Sequence, residues 1–124
     1  MKILVMVNIT KLQNSYLQIK DFINKTPILI SEKLNQDFNA TFYLKNEVEQ
    51  VTGSFKIRGA LSALSKLKEN NINGVVAYSS GNHAQGVSKA AQIFGMHAII
   101  VMPEDAPQNK IDKTLANGAE VVLY

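Results

Sequence analysis

The stretch "VVAYSSGNHAQGVSKAAQIFGMHAIIVM", residues 75–102, decides the fold of this chain. Its two ends, "VVAYS" and "HAIIVM", are short apolar runs of the kind that form buried strands. The residues between them follow the turn "SGN" at 80–82 and read as a helix that ends at Gly95. A strand, a helix and a strand in this order predict a right-handed crossover in a parallel sheet.

The same pattern continues to the last residue. Pro103 ends the second strand, and a short helix is predicted from about Pro107 to Asn117-Gly118. "AEVVLY" at 119–124 is a third strand. These elements predict an α/β fold, an open parallel sheet with helices on both faces. Because such a small sheet has open edges, we expect the chain to be an incomplete piece of a larger architecture. The alternative is a small domain closed by its N-terminal segments or by a second copy.

The residues before position 75 predict a more irregular arrangement. Thr10 is expected to cap a helix that runs to about Lys25, and "ILI" at 28–30 is expected to be extended. "ATFYLK" at 40–45 has the composition of a buried strand. A further helix is predicted over about 55–69, with Ser54 as its N-cap. Its apolar face consists of Ile57, Ala60, Leu61, Leu64 and Leu67.

Composition excludes several classes of function. The 124 residues contain no cysteine and only two histidines, so no dedicated metal site is expected. The formal net charge of +3 comes from scattered lysines with Arg58 as the only arginine, which does not favour nucleic-acid binding. "MKILVMV" at 1–7 is too short for a signal-peptide core, and no segment reaches membrane-spanning length. We therefore expect no membrane partner and a cytoplasmic location.

"TGSFKIRGA", residues 52–60, places two cations where a helix starts, although that end of a helix dipole favours acids. Positive potential from the unpaired amides, and from Arg58 nearby, disfavours the charged ammonium form of Lys56. An uncharged amine is what imine chemistry with an aldehyde requires. We therefore expect the Lys56 amine to be sheltered and held ready to lose its proton. The alternative is an ordinary surface lysine.

"SSGNHAQG", residues 79–86, joins the end of a parallel strand to the start of a helix. Free amides at a helix start bind anions, and open α/β sheets place ligands at this end of their strands. Two hydroxyls, an amide and an imidazole surround the turn. The motif predicts a site for a carboxylate or a phosphate, and the alternative is a corner whose serines and asparagine merely cap the helix.

Together the two motifs resemble those of the fold-type II pyridoxal-phosphate enzymes, the threonine dehydratase and serine racemase group with a tryptophan-synthase-β-like fold. "TPI" at 26–28, "LKNE" at 44–47 and "MPEDAPQNK" at 102–110 agree, and the resemblance runs from about Asn8 to the last residue. It implies pyridoxal 5'-phosphate as cofactor and a small hydroxyl amino acid as substrate. By this comparison, residues 1–73 are the N-terminal segment of a large domain that includes the lysine helix. Residues 74–124 are then most of the small three-layer α/β domain.

The resemblance also implies a role for each site residue. Lys56 matches the lysine that forms the internal aldimine and moves the substrate's α-proton, and Phe55 matches the residue beside the pyridine ring. Asn82 matches the side chain that hydrogen-bonds the ring hydroxyl. Ser80 matches the acid/base of serine racemases on the face opposite the lysine, where threonine dehydratases commonly have alanine. The cradle for the substrate carboxylate comprises Ser79, Ser80, Gly81, Asn82 and His83.

The function that the resemblance implies is that of a threonine or serine dehydratase, which converts a hydroxyl amino acid to a 2-oxo acid and ammonia, here as a truncated chain. Serine racemase is one alternative, because Ser80 leaves racemisation open. A non-catalytic fragment or one half of a split enzyme is another, because the chain's seven glycines are isolated. The family's phosphate-binding run of glycines is therefore not among them. We expect a homo-oligomer, or a chain that needs the C-terminal portion of its family.

Overall fold

The computed structural model describes residues 8–124, so the sequence-based prediction for "MKILVMV" at 1–7 lies outside the described residues. The helices of the described part are α1 (Ile9–Ile19), α2 (Glu32–Phe38), α3 (Lys56–Glu69), α4 (Asn82–Phe94) and α5 (Gln108–Ala116). Its strands are β1 (Ile28–Ile30), β2 (Tyr43–Lys45), β3 (Gly74–Tyr78), β4 (His97–Met102) and β5 (Glu120–Leu123). Each helix in this range is too short or too polar to cross a membrane.

The C-terminal half folds as its pattern predicts. The strands β3, β4 and β5 form a parallel sheet in that order, with Gly74 opposite His97 and Ile99 opposite Glu120. The loop before β4 includes Gly95, whose φ of 61° closes α4 in the left-handed conformation that glycine adopts without strain. The predicted α/β class, with its parallel sheet and connecting helices, is confirmed.

Within the described residues, the helices that pack on this sheet, α4 and α5, cover one of its faces, whereas the sequence suggested helices on both faces. The strand order advances in one direction, so two right-handed crossovers place α4 and α5 on the same side. On that side Ile100 and Met102 of β4 are fully buried. On the other side Val76 and Tyr78 of β3 are 70% and 68% exposed. The second face of the sheet is therefore open in residues 8–124.

The core lies where α4 packs between α3 and the sheet. The predicted apolar face of α3 is confirmed, since Ile57 and Leu61 are completely buried and Leu67 packs at the margin of the core. The facing surface of α4 is built from small residues, among them Ala84 and Ala90, which are also completely buried. Small side chains let the two helix backbones approach closely, which brings the start of α3 next to the start of α4.

The N-terminal half departs from the predictions in three places. The N-cap of α1 is Asn8, whose side chain accepts a hydrogen bond from the Lys11 amide at 3.1 Å, so the predicted cap at Thr10 is wrong. The helix ends at Ile19 rather than near Lys25, because a turn of 3₁₀ helix follows. The predicted buried strand at 40–45 is instead an exposed strand, Tyr43–Lys45, which pairs antiparallel with β1 outside the main sheet.

The helix α2 was not predicted, although local signals for it exist. Ser31 caps its start by accepting a hydrogen bond from the Leu34 amide at 3.3 Å. Asn39 ends it with a φ of 47°, a left-handed conformation in which asparagine is the usual substitute for glycine. Serine is common at the start of a helix and asparagine at its end, so Ser31 and Asn39 together indicate where α2 begins and ends.

Candidate active site

The start of α3 presents the Lys56 amine above an aromatic ring. Phe55, not the predicted Ser54, occupies the N-cap position, and the Ser54 hydroxyl is buried without a hydrogen-bond partner in the described part of the chain. The Lys56 Nζ atom lies 5.0 Å from the centroid of the Phe55 ring, which is itself 59% exposed. Lys56 is exposed within residues 8–124, so the expected shelter for this amine is not provided by these residues.

A groove of about 480 Å³ runs along α3 from Lys56 to Leu67. Apolar residues of α3 and β3 form most of its lining, and Phe55 and Lys56 contribute to it where α3 begins. His83 from the first turn of α4 joins them. The fold thus brings together the lysine of one sequence motif and the imidazole of the other, which are 27 positions apart in the chain.

The turn before α4 leaves the first helical amides without a side-chain cap. Gly81 is the N-cap residue, and none of the side chains in residues 8–124 caps the helix. The Ser79 hydroxyl accepts a hydrogen bond from the Gly81 amide at 3.3 Å, within the turn itself. The capping alternative for this motif is therefore wrong for Ser79 and Asn82. Ser79, Ser80, Gly81 and Asn82 lie in the turn next to His83 and are not part of the groove lining.

The Asn82 side chain has a defined partner on another helix. Its Oδ1 accepts a hydrogen bond from the Nζ of Lys110, the first-turn lysine of α5, at 3.2 Å. An amide that accepts through its oxygen keeps its NH₂ group free to donate. Lys110 belongs to the "MPEDAPQNK" stretch, whose residues alone do not predict a role at the site.

Gly86 brings the two motifs into direct backbone contact. A Cβ placed on Gly86 would lie 3.1 Å from the carbonyl carbon of Lys56 and 3.2 Å from its oxygen. The second turn of α4 therefore packs against the peptide unit that carries the candidate reactive lysine. The sequence motif contains this glycine, but its partner is not visible in the sequence.

Arg58, which the sequence places near Lys56, is paired with a carboxylate. Its guanidinium turns to Glu47, with Nε donating to Oε2 and Nη2 donating to Oε1, both at 2.8 Å. Thr26 donates a third hydrogen bond to Oε1 at 2.6 Å. The arginine charge is therefore balanced by a carboxylate, and the predicted effect of Arg58 on the Lys56 amine stays a prediction.

Glu47 and Arg58 form a doubly hydrogen-bonded ion pair close to the start of α3. Hydrogen bonding from Arg58 lowers the pKa of Glu47 to about 2, with a smaller contribution from Thr26, and burial opposes both. The hydrogen bond with Glu47 raises the pKa of Arg58. Glu47 lies in the "LKNE" stretch, and its role was missed because the partner is eleven positions away on a different element.

Residues 19–124 match the family described as "Pyridoxal-phosphate dependent enzyme". The chain belongs to this family. L-threo-3-hydroxyaspartate ammonia-lyase from Saccharomyces cerevisiae and serine racemase from Schizosaccharomyces pombe are each 47% identical over 108 residues, which is 86% of this chain and 33% of those proteins. A crystal structure of threonine deaminase from T.th. matches with a TM-score of 0.83 and 45% identity, over 94% of this chain and 36% of that one.

These comparisons confirm the predicted family and its pyridoxal phosphate dependence. The chain spans about a third of the length of the relatives it matches. The residues at the candidate site have the chemistry that pyridoxal phosphate requires. Lys56 supplies an amine for an aldehyde, Phe55 supplies an aromatic surface for a pyridine ring, and the groove beside them has apolar walls. The uncapped start of α4 supplies amides for an anionic group.

Proposed function

We propose that this chain is the N-terminal part of a pyridoxal-phosphate dependent ammonia-lyase that converts L-threonine or L-serine to a 2-oxo acid and ammonia. One observation carries the proposal. The Lys56 amine stands over the Phe55 ring in the same groove as His83, beside an uncapped helix start. The threonine deaminase and the hydroxyaspartate ammonia-lyase among its relatives support the reaction class.

Lys56 is the residue on which the reaction depends. Its Nζ would hold the aldehyde carbon of the cofactor until the amine of the substrate displaces it, and the freed Lys56 amine would then take the α-proton of the substrate from one face. When bound, pyridoxal phosphate supplies the electron sink that makes this proton acidic. Phe55 would pack against the pyridine ring, since its exposed ring already lies below the Lys56 amine. The electron pair left by the α-proton would expel the β-hydroxyl, which takes up a proton and leaves as water, and hydrolysis of the resulting enamine would give the 2-oxo acid and ammonia.

Asn82 and the turn before it would orient the two ligands. With its Oδ1 held by Lys110, the Asn82 amide can donate from Nδ2 to the oxygen of the hydroxyl group on the cofactor's pyridine ring. The free amides at the start of α4 would bind the substrate carboxylate, with Ser79, Ser80, Gly81 and His83 around it. The Ser79 hydroxyl oxygen accepts a hydrogen bond from the Gly81 amide, so the hydroxyl proton of Ser79 remains available to donate to this carboxylate.

A serine racemase is the second candidate, and Ser80 favours it. Racemisation needs an acid/base on each face of the α-carbon, and the half-buried Ser80 hydroxyl would serve the face opposite Lys56. The serine racemase from Schizosaccharomyces pombe is as similar to this chain as the hydroxyaspartate ammonia-lyase. A Ser80→Ala variant would lose D-serine formation and keep 2-oxo acid formation if both activities are present.

A non-catalytic fragment and one half of a split enzyme are the remaining alternatives. The chain spans only a third of its relatives, and its seven glycines are isolated. The phosphate of the cofactor would then be held by a complementary portion. Charge-assisted contacts to phosphate are among the strongest that proteins make, so we expect weak cofactor binding by this chain alone.

The experiment that tests the proposal adds pyridoxal phosphate and follows the visible absorption band of its covalent adduct with a lysine. The wild-type chain and Lys66→Ala, an exposed lysine variant on the same helix, should give the band. Lys56→Ala should not. Incubation with L-threonine or L-serine then tests turnover by a 2-oxo acid assay, and chiral chromatography tests D-serine formation. Equal bands in all three proteins would contradict the catalytic role of Lys56.

We further propose that residues 1–73 belong to a larger domain and residues 74–124 to a smaller one. The left-handed Asn71, with a φ of 60°, separates α3 from β3 at this boundary. The open face of the sheet around Val76 and Tyr78 supports association with another subunit or another portion of the enzyme. The homo-oligomer and the cytoplasmic location stay predictions.

A further inference from the structure

Gly86 occupies an unfavourable place for a glycine. It is a buried residue inside α4, four positions after Asn82, where glycine destabilises a helix relative to alanine. Its backbone has an ordinary helical conformation and no positive φ. Conformational freedom therefore does not explain the residue, and the explanation must lie in the space around it.

The space around Gly86 is filled by the backbone of α3. A Cβ at this position would lie 3.1 Å from the carbonyl carbon of Lys56, 3.2 Å from its oxygen and 3.3 Å from the Ile57 nitrogen. Backbone atoms cannot move aside by changing a rotamer, so a side chain here would separate the two helices. Gly59 of α3 gives the contrast, because among the described residues a Cβ there would meet no atom within 4 Å apart from its chain neighbours and the adjacent backbone of its own helix.

We propose that Gly86 is a positioning residue that sets the distance between Lys56 and the first turn of α4. Gly86, Asn82 and His83 belong to the same helix, and a hydrogen-bonded helix bends little over one turn. A shift of the α4 backbone at Gly86 would therefore also shift Asn82 and His83. The Lys56 amine belongs to α3, whereas Asn82 and His83, which would orient the ligands, belong to α4 across this contact. The proposal rests on the proposed function, since the distance matters only if both sides bind one ligand.

The test measures the rate at which pyridoxal phosphate and borohydride label Lys56, resolved from other lysines by peptide mapping. The variants are Gly86→Ala and Gly86→Val, with circular dichroism to verify folding. Displacements of a few tenths of an ångström in a reacting geometry correspond to roughly three- to tenfold in rate, so we expect such a loss for the alanine variant. The valine variant should lose more than the alanine variant. Labelling of the other lysines should not change.

Two controls separate positioning from general destabilisation. Gln92→Ala changes an exposed residue on the same helix, and Ile100→Val opens a small cavity in the buried core of β4. Both should keep the wild-type rate at Lys56, even where Ile100→Val lowers the unfolding midpoint as much as the Gly86 variants do.

Each outcome decides between the two proposals. Folded Gly86 variants that label Lys56 at the wild-type rate would overturn the positioning role and leave the proposed function intact. A loss of Lys56 labelling in Ile100→Val equal to that in Gly86→Ala would also overturn it. If the wild-type chain labels Lys56 no faster than the other lysines, the proposed function fails instead. Should the valine variant not fold, the alanine variant alone decides, because it adds a single methyl group.

Discussion

Acid should weaken this protein mainly through Glu47. The pKa of this carboxyl falls from 4.5 to about 2 in the folded chain, mainly because of its hydrogen bonds with Arg58. A depressed folded pKa contributes stability above the unfolded pKa, and this stability is lost as pH falls from about 5 toward 2. The difference of about 2.5 pH units corresponds to roughly 3 kcal/mol of unfolding free energy.

Partial exposure makes this magnitude an upper bound. The Glu47 and Arg58 side chains are 17% and 28% exposed, so solvent screens part of their attraction and lowers the contribution. The screening is weaker than for a fully exposed pair. We expect Glu47→Gln to lose up to about 3 kcal/mol at pH 7, because it leaves the arginine without its charged partner. Asp37→Asn is the matched control. It breaks the exposed pair with Lys33 and should cost about 0.5 kcal/mol or less.

The assay is urea unfolding of the wild-type chain and both variants, followed by circular dichroism at pH 7, 5, 3.5 and 2.5. The wild-type and Asp37→Asn curves should fall steeply below pH 5. The Glu47→Gln curve should start lower and fall less, so that its difference from the other two narrows toward the lowest pH. Parallel pH dependence in the wild type and Glu47→Gln would refute the reasoning, since the acid-labile stability would then come from other carboxyls.

Three further substitutions test the site and the fold. Lys110→Met should weaken pyridoxal phosphate binding several-fold in equilibrium dialysis, because the Asn82 amide loses its partner, whereas Lys113→Met on the same helix should bind as the wild type does. Leu61→Ala should lower the unfolding free energy in urea by about 2–5 kcal/mol, since the side chain is completely buried, and a loss below 1 kcal/mol would contradict its core position. Ser31→Ala should cost about 1 kcal/mol in the same assay, and no change would show that its cap does not stabilise the helix.

The helices and strands of the C-terminal half were predictable because each has a recognisable pattern in its own stretch of sequence. The apolar runs at β3, β4 and β5 alternate with helical segments, which predicts a parallel sheet. The strand order is known only from the structure, and the side on which α4 and α5 lie depends on it, so the sequence did not predict that they share one face. The N-terminal half lacks this regularity. The run at 40–45 has a strand composition, yet its pairing with β1 on the surface depends on tertiary contacts that composition does not encode.

The sequence pointed to residue types for the candidate site and told less about how the structure arranges them. The two motifs identify Lys56 and the turn at 79–83, but the side-chain direction of Arg58 depends on Glu47, which reaches it from a different element. The close contact at Gly86 depends in the same way on how two helices pack. Partners that meet through tertiary structure leave no signal at either position alone.

The most direct test of the central claim is peptide mapping of the chain after brief treatment with pyridoxal phosphate and borohydride. If the Lys56 amine, above the Phe55 ring and beside the start of α4, is the cofactor-binding group, the label should accumulate on Lys56 ahead of the exposed Lys66 on the same helix. An equal yield on Lys56 and Lys66 would contradict the account.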